Sequence, residues 1–361
     1  MFVNYNVFEK TPPCFNGFNT YIWPVERLIQ IQIIMKKIIF TLLLSSSLIL
    51  TGQEKEEKKI SFSGSIDTYF RGNISGGAFD TAPGSSFANK PGFAIGMINL
   101  IAAYEGEKVG FVADMVYGPR GEDAVFNSVG SSQIVNQLYA YWNLSESVKL
   151  TVGNFNTFLG YEVISPTANF NYSTSYLFSY GPFSHTGAKL DITLNEKSSL
   201  MLALLNPTDA TEFNPDGKYS VGLQYGYSGQ FLNVLMNPDS YEIDYTGGFD
   251  VTDSFFLGIN AAYFKAENAP DFYGFALYPQ LATSDSFKIG LRTEYFKEDG
   301  NFGAIGTGVA DSSVFATTLT GNYTIGALTI IPELRLDSAS EPAFGTDKSL
   351  SSFLIAAVYA F

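Results

Sequence analysis

The chain has 361 residues and a formal net charge of −14, from 21 Lys+Arg against 35 Asp+Glu. Only 16% of it is charged, against about 25% in an ordinary soluble protein, while aromatics reach 16% and mean hydropathy is +0.08. An acidic chain repels phosphate, 46% hydrophobic residues argue against disorder, and no series of ~20-residue apolar runs offers membrane helices.

Met35-Lys36-Lys37, the apolar run Ile38–Leu44, serines, Leu48-Ile49-Leu50 and the small exit Thr51-Gly52 form an export signal, with cleavage expected after Gly52. No Cys follows the run, so no lipid anchor is expected. Residues 1–34 then precede a complete signal, as an unused upstream in-frame start would. Removing 52 of the 361 residues leaves 309, with 17 Lys+Arg against 33 Asp+Glu and a charge of −16. The single Cys14 is lost with them, and His185 is the only histidine, so a Cys/His zinc site and an intrachain disulfide are excluded. Residues 53–59, from Gln53 to Lys59, read as a charged periplasmic tail.

From residue 60 onward the pattern is period-two alternation, one face apolar and the other polar or small. Phe62, Gly64, Ile66, Thr68 and Phe70 alternate with Ser63, Ser65, Asp67, Tyr69 and Arg71. Tyr219, Val221, Leu223, Tyr225 and Tyr227 repeat the pattern, as do Phe255 to Tyr263, Phe287 to Tyr295 and Phe315 to Tyr323. Tight turns near 105–108, 145–147, 195–198, 228–229, 251–253, 283–285 and 326 alternate with longer links near 72–92, 118–131, 159–183, 206–217, 237–240, 266–271, 297–312 and 338–350. Seven short turns and eight long links require sixteen strands, with both chain ends on the short-turn side, the distribution of an outer-membrane barrel with periplasmic termini. The strand near Phe231–Met236 is short with a link, Asn237-Pro238-Asp239, no longer than a turn, and Pro279 and Pro332 fall in strand interiors, so fourteen strands is the alternative count. No helix is expected. A sandwich would bury its apolar face against a second sheet. Here the other face is Gly, Ser, Thr, Asn and charge, which predicts a watery lumen and an all-β, closed, antiparallel up-and-down barrel.

The last strand places Phe353, Ile355, Ala357, Tyr359 and Phe361 on one face. Tyr359 and the terminal Phe361 resemble the C-terminal signal read by the barrel-assembly machinery. Together these features resemble the bacterial outer-membrane porins, most closely the beta-barrel porin type 2 family of Bacteroidota. The resemblance covers residues 60–361 and is most specific from Val152 through Gly160-Tyr161-Glu162 and Asn171-Tyr172-Ser173 to Tyr180-Gly181-Pro182 and Thr186-Gly187. It implies passive diffusion of small polar solutes or ions without a cofactor, in a bilayer with lipopolysaccharide, and a homotrimer as in many general porins.

Strand parity turns nine acids inward: Asp67, Asp114, Asp191, Glu242, Asp244, Asp250, Glu294, Glu333 and Asp337. It turns five bases inward: Arg71, Lys189, Lys288, Arg292 and Arg335. These either pair across strands or leave an acidic field that favours cations. The loop 159–183, third on the outer side, is rich in Tyr161, Phe170, Tyr172, Tyr176, Phe178 and Tyr180, with Glu162 its one charge, and is expected to fold inward as a constriction. Adjacent Ser184 and His185 point to opposite faces and form no catalytic dyad, so no enzyme is expected. Gly303, Gly306 and Gly308 lack the Lys-Ser/Thr of a phosphate loop. The leading expectation is a mildly cation-selective porin. The alternative is a plugged barrel that binds partners through its outer loops.

Overall fold

The computed structural model describes residues 60–361 except Phe126 and Asp209. The start-site, signal and tail assignments over residues 1–59 lie outside the described residues.

Sixteen antiparallel strands close into one barrel, each paired with its neighbours in sequence and the first with the last. They are β1 (Ser61–Ser75), β2 (Gly92–Glu105), β3 (Val109–Tyr117), β4 (Val135–Ser145), β5 (Val148–Asn156) and β6 (Ser184–Thr193). There follow β7 (Ser198–Leu205), β8 (Ser220–Tyr227), β9 (Gln230–Asn237), β10 (Ser240–Asp250) and β11 (Phe255–Ala266). The last five are β12 (Asp271–Ala282), β13 (Phe287–Asp299), β14 (Ser313–Ile325), β15 (Leu328–Ala339) and β16 (Ser349–Ala360). Short turns gather at the end where β1 begins and β16 finishes, and the links L1 to L8 gather at the other. L3 spans 157–183. The fifth link, 238–239, is a tight turn.

Local chemistry fixes the hairpins. Ser228 and Gly229 have φ of 49° and 79°, the left-handed pair that a two-residue type I′ turn needs. Pro279 and Pro332 stay within continuous strands. Pairing with β13 lapses between Leu277 and Gln280, and pairing with β14 lapses between Ile330 and Glu333, while the ladders on the other side continue. Each proline thus occupies a place where no ladder hydrogen bond is required of it, and sixteen strands survive. Closure is completed by Phe361, whose N–H donates to Gly64 O at 3.0 Å while Gly64 N–H donates to Phe361 O at 2.9 Å.

Alternation places large apolar side chains outside. Phe62, Phe93, Trp142, Leu204, Phe275, Phe315 and Ile355 stand exposed around the wall, Phe93 at 91%. A continuous apolar exterior with no protein cover is the surface a hydrocarbon layer accepts. Aromatic pairs cross neighbouring strands toward the long-loop end: Phe70–Phe93 at 5.0 Å, Tyr241–Tyr263 at 6.2 Å and Tyr273–Tyr295 at 6.4 Å between ring centroids. Among the described residues no helix is long and apolar enough to cross a membrane.

Two features differ from the sequence expectation. Short helices do occur, α1 (Pro119–Ala124) in L2 and α2 (Tyr176–Tyr180) in L3. And the lumen is not simply watery. Met97, Met201, Leu205, Leu235, Phe272, Phe296, Ile331 and Leu354 sit on its face and are buried under loop residues. Period-two patterning reports which face a residue takes. It does not report what later folds over that face.

Candidate functional site: the third long loop in the lumen

L3 leaves β5 and re-enters at β6, its base pinned by Thr157 N–H donating to Phe183 O at 3.0 Å and by Thr157 Oγ1 with His185 Nε2 at 2.9 Å. Ser184 takes no part, so the histidine serves the loop base. From there the loop crosses the lumen toward β15 and returns, and the barrel charges receive its backbone.

Carboxylates take the N–H groups. Glu333 accepts from Tyr172 N at 2.6 Å and Ser173 N at 3.1 Å. Glu294 accepts from Tyr176 N at 3.0 Å and Leu177 N at 2.7 Å. Asp244 accepts from Gly160 N at 3.1 Å, and Asp67 from the Tyr172 hydroxyl at 2.5 Å. Arginines take the carbonyls. Arg292 donates to Ser173 O at 2.5 Å and Thr174 O at 3.3 Å, and pairs with Glu162 at 2.6 Å. Arg335 donates to Thr174 O at 2.8 Å and pairs with Asp337 at 2.8 Å. Arg120, on α1, donates to Ile164 O and Tyr172 O, both at 3.0 Å. A non-regular segment inside a barrel has no ladder to satisfy its peptides, and these ionisable side chains do so instead.

Glycines make the seats. A Cβ on Gly258 would meet the Tyr161 hydroxyl at 2.4 Å, and one on Gly290 would meet Phe170 Cε1 at 2.4 Å. On Gly222 it would meet Phe158 at 2.8 Å and on Gly274 Leu177 at 3.0 Å. The small residues of the polar strand face thus let loop side chains approach the wall. Tyr161 stacks on Tyr278 at 4.2 Å, and Tyr180 lies 6.0 Å from Phe296. Phe178 packs against Phe87 of L1 and Phe183 at 5.7 and 5.2 Å.

The remaining sequence-named charges fall elsewhere. Arg71 is buried and holds Thr81 O of L1 at 2.8 Å. Asp114 accepts from Asn136 at 2.7 Å, Gln137 at 3.0 Å and Asn99. Lys189 and Asp191 pair at 3.0 Å and stay 25% and 38% exposed. Lys288 lies exposed on the rim of a cavity of about 580 Å³ that opens at the short-turn end under L3, and Asp250 is exposed at the strand end. Glu242 is buried. Parity counting missed Arg120, which sits in a loop and carries no strand phase.

A closed sixteen-stranded barrel, apolar outside and crossed by its third long loop, can be set beside known proteins. Residues 59–361 match the family described as "Putative beta-barrel porin-2, OmpL-like". The chain belongs to that family. It shares the fold of the outer membrane channel DcaP of Acinetobacter baumannii, with a TM-score of 0.58 and 13% identity over 86% of this chain and 100% of that one. OmpT of Vibrio cholerae, in a trimer form, follows at 0.53 and 11% over 84% and 99%, and the anion-selective porin from Comamonas acidovorans at 0.52 and 12% over 84% and 99%. No curated protein matches the chain. Family and fold make it an outer-membrane channel protein of the porin class.

Proposed function

We propose that the chain is a porin passing small polar solutes and ions by diffusion, with its narrowest point where L3 crosses the lumen. The observation that carries this reading is L3 itself, a long segment drawn into a closed barrel by at least six ionisable side chains of the wall and L2. The arc of wall from β4 to β7, where Tyr139, Lys189 and Asp191 remain half-exposed, is the proposed route. The short turns and both ends of the mature chain face the periplasm after export through the signal ending at Gly52. Tyr359 and Phe361 serve assembly, and deleting Phe361 lowers the heat-modifiable, folded fraction in membranes. A homotrimer is part of the proposal, by analogy with the trimer form of OmpT.

Cation preference rests on fewer charges than parity counting supplies. Asp337 is neutralised by Arg335 and Asp191 by Lys189, and most of the other inward acids are buried beneath the loops, away from the proposed route. The preference is therefore weak and falls further as salt screens it over about 10 Å at 0.1 M.

A second reading has its own observation. On every one of the sixteen strands at least one lumen-facing side chain is buried, as in a barrel sealed at mid-height that acts through its long loops. Conductance of the purified protein in planar bilayers separates the two. Stepwise channels with a small positive-ion reversal potential support the porin. Silence under all voltages favours the sealed barrel.

A further inference from the structure

Asparagine is foreign to a wall that faces hydrocarbon, and β5 carries two on its outer side. Thr151 and Phe155 are buried on the lumen face, so Val152, Asn154 and Asn156 point outward. On β6 the buried His185 fixes the phase in the same way and turns Ser184, Thr186 and Ala188 out. The register sets Asn156 against Ser184, Asn154 against Thr186 and Val152 against Ala188. Two polar pairs thus stand above an apolar one.

Their depth follows from the tilt of the strands. At a tilt of about 40°, each step along a paired row to the next strand changes height by about 3 Å. Rows here climb with strand number: the one that starts at Tyr227, at the short-turn end of β8, reaches Leu336, near the long-link end of β15. Val152 and Ala188 share a row with Leu204, Val221, Met236 and Tyr241. Val152, four strands before Met236, therefore lies about 12 Å deeper, and Asn154, about 5 Å above Val152, is still about 7 Å below Met236. Tyr241, beside Tyr263, belongs to the aromatic edge at the long-loop end, so Asn154 and Thr186 fall inside the apolar band.

Hydrocarbon offers these groups no partner. Thr186 Oγ1, with a single proton, lies 2.6 Å from Thr211 O and 3.2 Å from Asn154 Oδ1. Asn156 Oδ1 is buried, and no donor among the described residues reaches it. The contact to Thr211 also draws L4 (residues 206–219) onto this face. L2 (residues 118–134) follows, through Ser128 Oγ with Thr211 Oγ1 at 3.1 Å and Val129 N–H donating to Glu212 Oε1 at 2.7 Å. These two links hold out Val129 and Phe213, 68% and 66% exposed. Below them Ala140, Val152, Ala188 and Leu204 form one row in which alanine alternates with a larger side chain.

We propose that a second copy of this chain covers the outer face of β5 and β6, as a contact of the homotrimer proposed above, on which this inference rests. A protein neighbour supplies the polar partners that lipid lacks, and the two alanines let the walls approach closely. Val129 and Phe213 continue the contact beyond the apolar band. A wall whose apolar band is too short for the bilayer is relieved by oligomerising. Every copy carries the same short band, so turning three such faces to a common axis removes it from all of them.

The test uses the full folded chain, extracted from membranes in mild detergent and weighed by native mass spectrometry. The unmodified chain gives three times the chain mass. Ala188→Trp, which a lipid-facing wall tolerates and a packed one does not, lowers the trimer fraction at least tenfold. Leu319→Trp, on the exposed side of β14 eight strands away, leaves it unchanged. Unheated gel mobility verifies that each barrel is folded, and if Ala188→Trp is not, Val152→Trp on the same row is read instead. A trimer that persists in the folded variant overturns this face and leaves the homotrimer standing. A monomeric unmodified chain, or a complex made up with a different protein, overturns both. Neither result depends on conductance, so diffusion through the barrel is tested apart.

Discussion

Two arcs of one wall treat L3 differently. From β10 around to β1, inward acids and arginines are buried and end on the loop: Asp244, Arg292, Glu294, Glu333 and Arg335 on its peptides and Asp67 on the Tyr172 hydroxyl. From β4 to β7 the loop is held only near its base, through Thr157 and the apolar contacts of Leu159 with Phe155 and Met201. There Lys189 and Asp191 pair with each other within reach of water. The same residue types therefore do two jobs. Under the loop, charges act as caps for a segment with no ladder. Away from it, they remain within reach of water.

Arg292→Ala should break the first arc hardest. It removes four hydrogen bonds and leaves Glu162 buried without its cation, a loss of about 3–5 kcal/mol. Urea titration followed by heat-modifiable gel mobility measures it, and a cost below about 1 kcal/mol would mean the loop does not depend on this anchor. Gly290→Val comes next, because its Cβ lands 2.4 Å from the Phe170 ring and 3.0 Å from Pro279 O. Overpacking of this kind costs about 1–3 kcal/mol, and the displaced loop should change single-channel conductance more than it changes stability. Asp191→Asn on the open arc is the mildest. A half-exposed pair contributes about 0–1 kcal/mol, so stability barely moves. The reversal potential in a KCl gradient should nevertheless shift toward anions. An unchanged potential would take the proposed route away from β4 to β7.

Much of the barrel was legible from alternation. The positions of Phe255, Phe287 and Phe315 on the outer face, the Ser228-Gly229 hairpin and the closing strand ending at Phe361 all follow from period two and turn chemistry. Parity assigned Arg292, Glu294, Glu333 and Arg335 to the inner face, yet could not say what they would meet. Their partners are Tyr172 to Leu177, between about 117 and 161 residues away in sequence. Arg120 lay in a loop, where no periodicity speaks, and its role was invisible. Gly258 and Gly290 looked like generic small residues of a polar face, because nothing local marks the ring that will lie on them.

By itself the sequence determined the strand phases, the turn positions, the closure and the apolar exterior, since each depends on residues one or two positions apart and on a bilayer that tolerates only closed sheets. Only the tertiary structure decided that L3 lies across the lumen and that wall charges receive its backbone. Those outcomes rest on the path that a 27-residue segment takes through the barrel. A segment without a repeat satisfies its peptides wherever the surrounding wall offers ionisable or polar partners, and that wall exists only once all sixteen strands have closed.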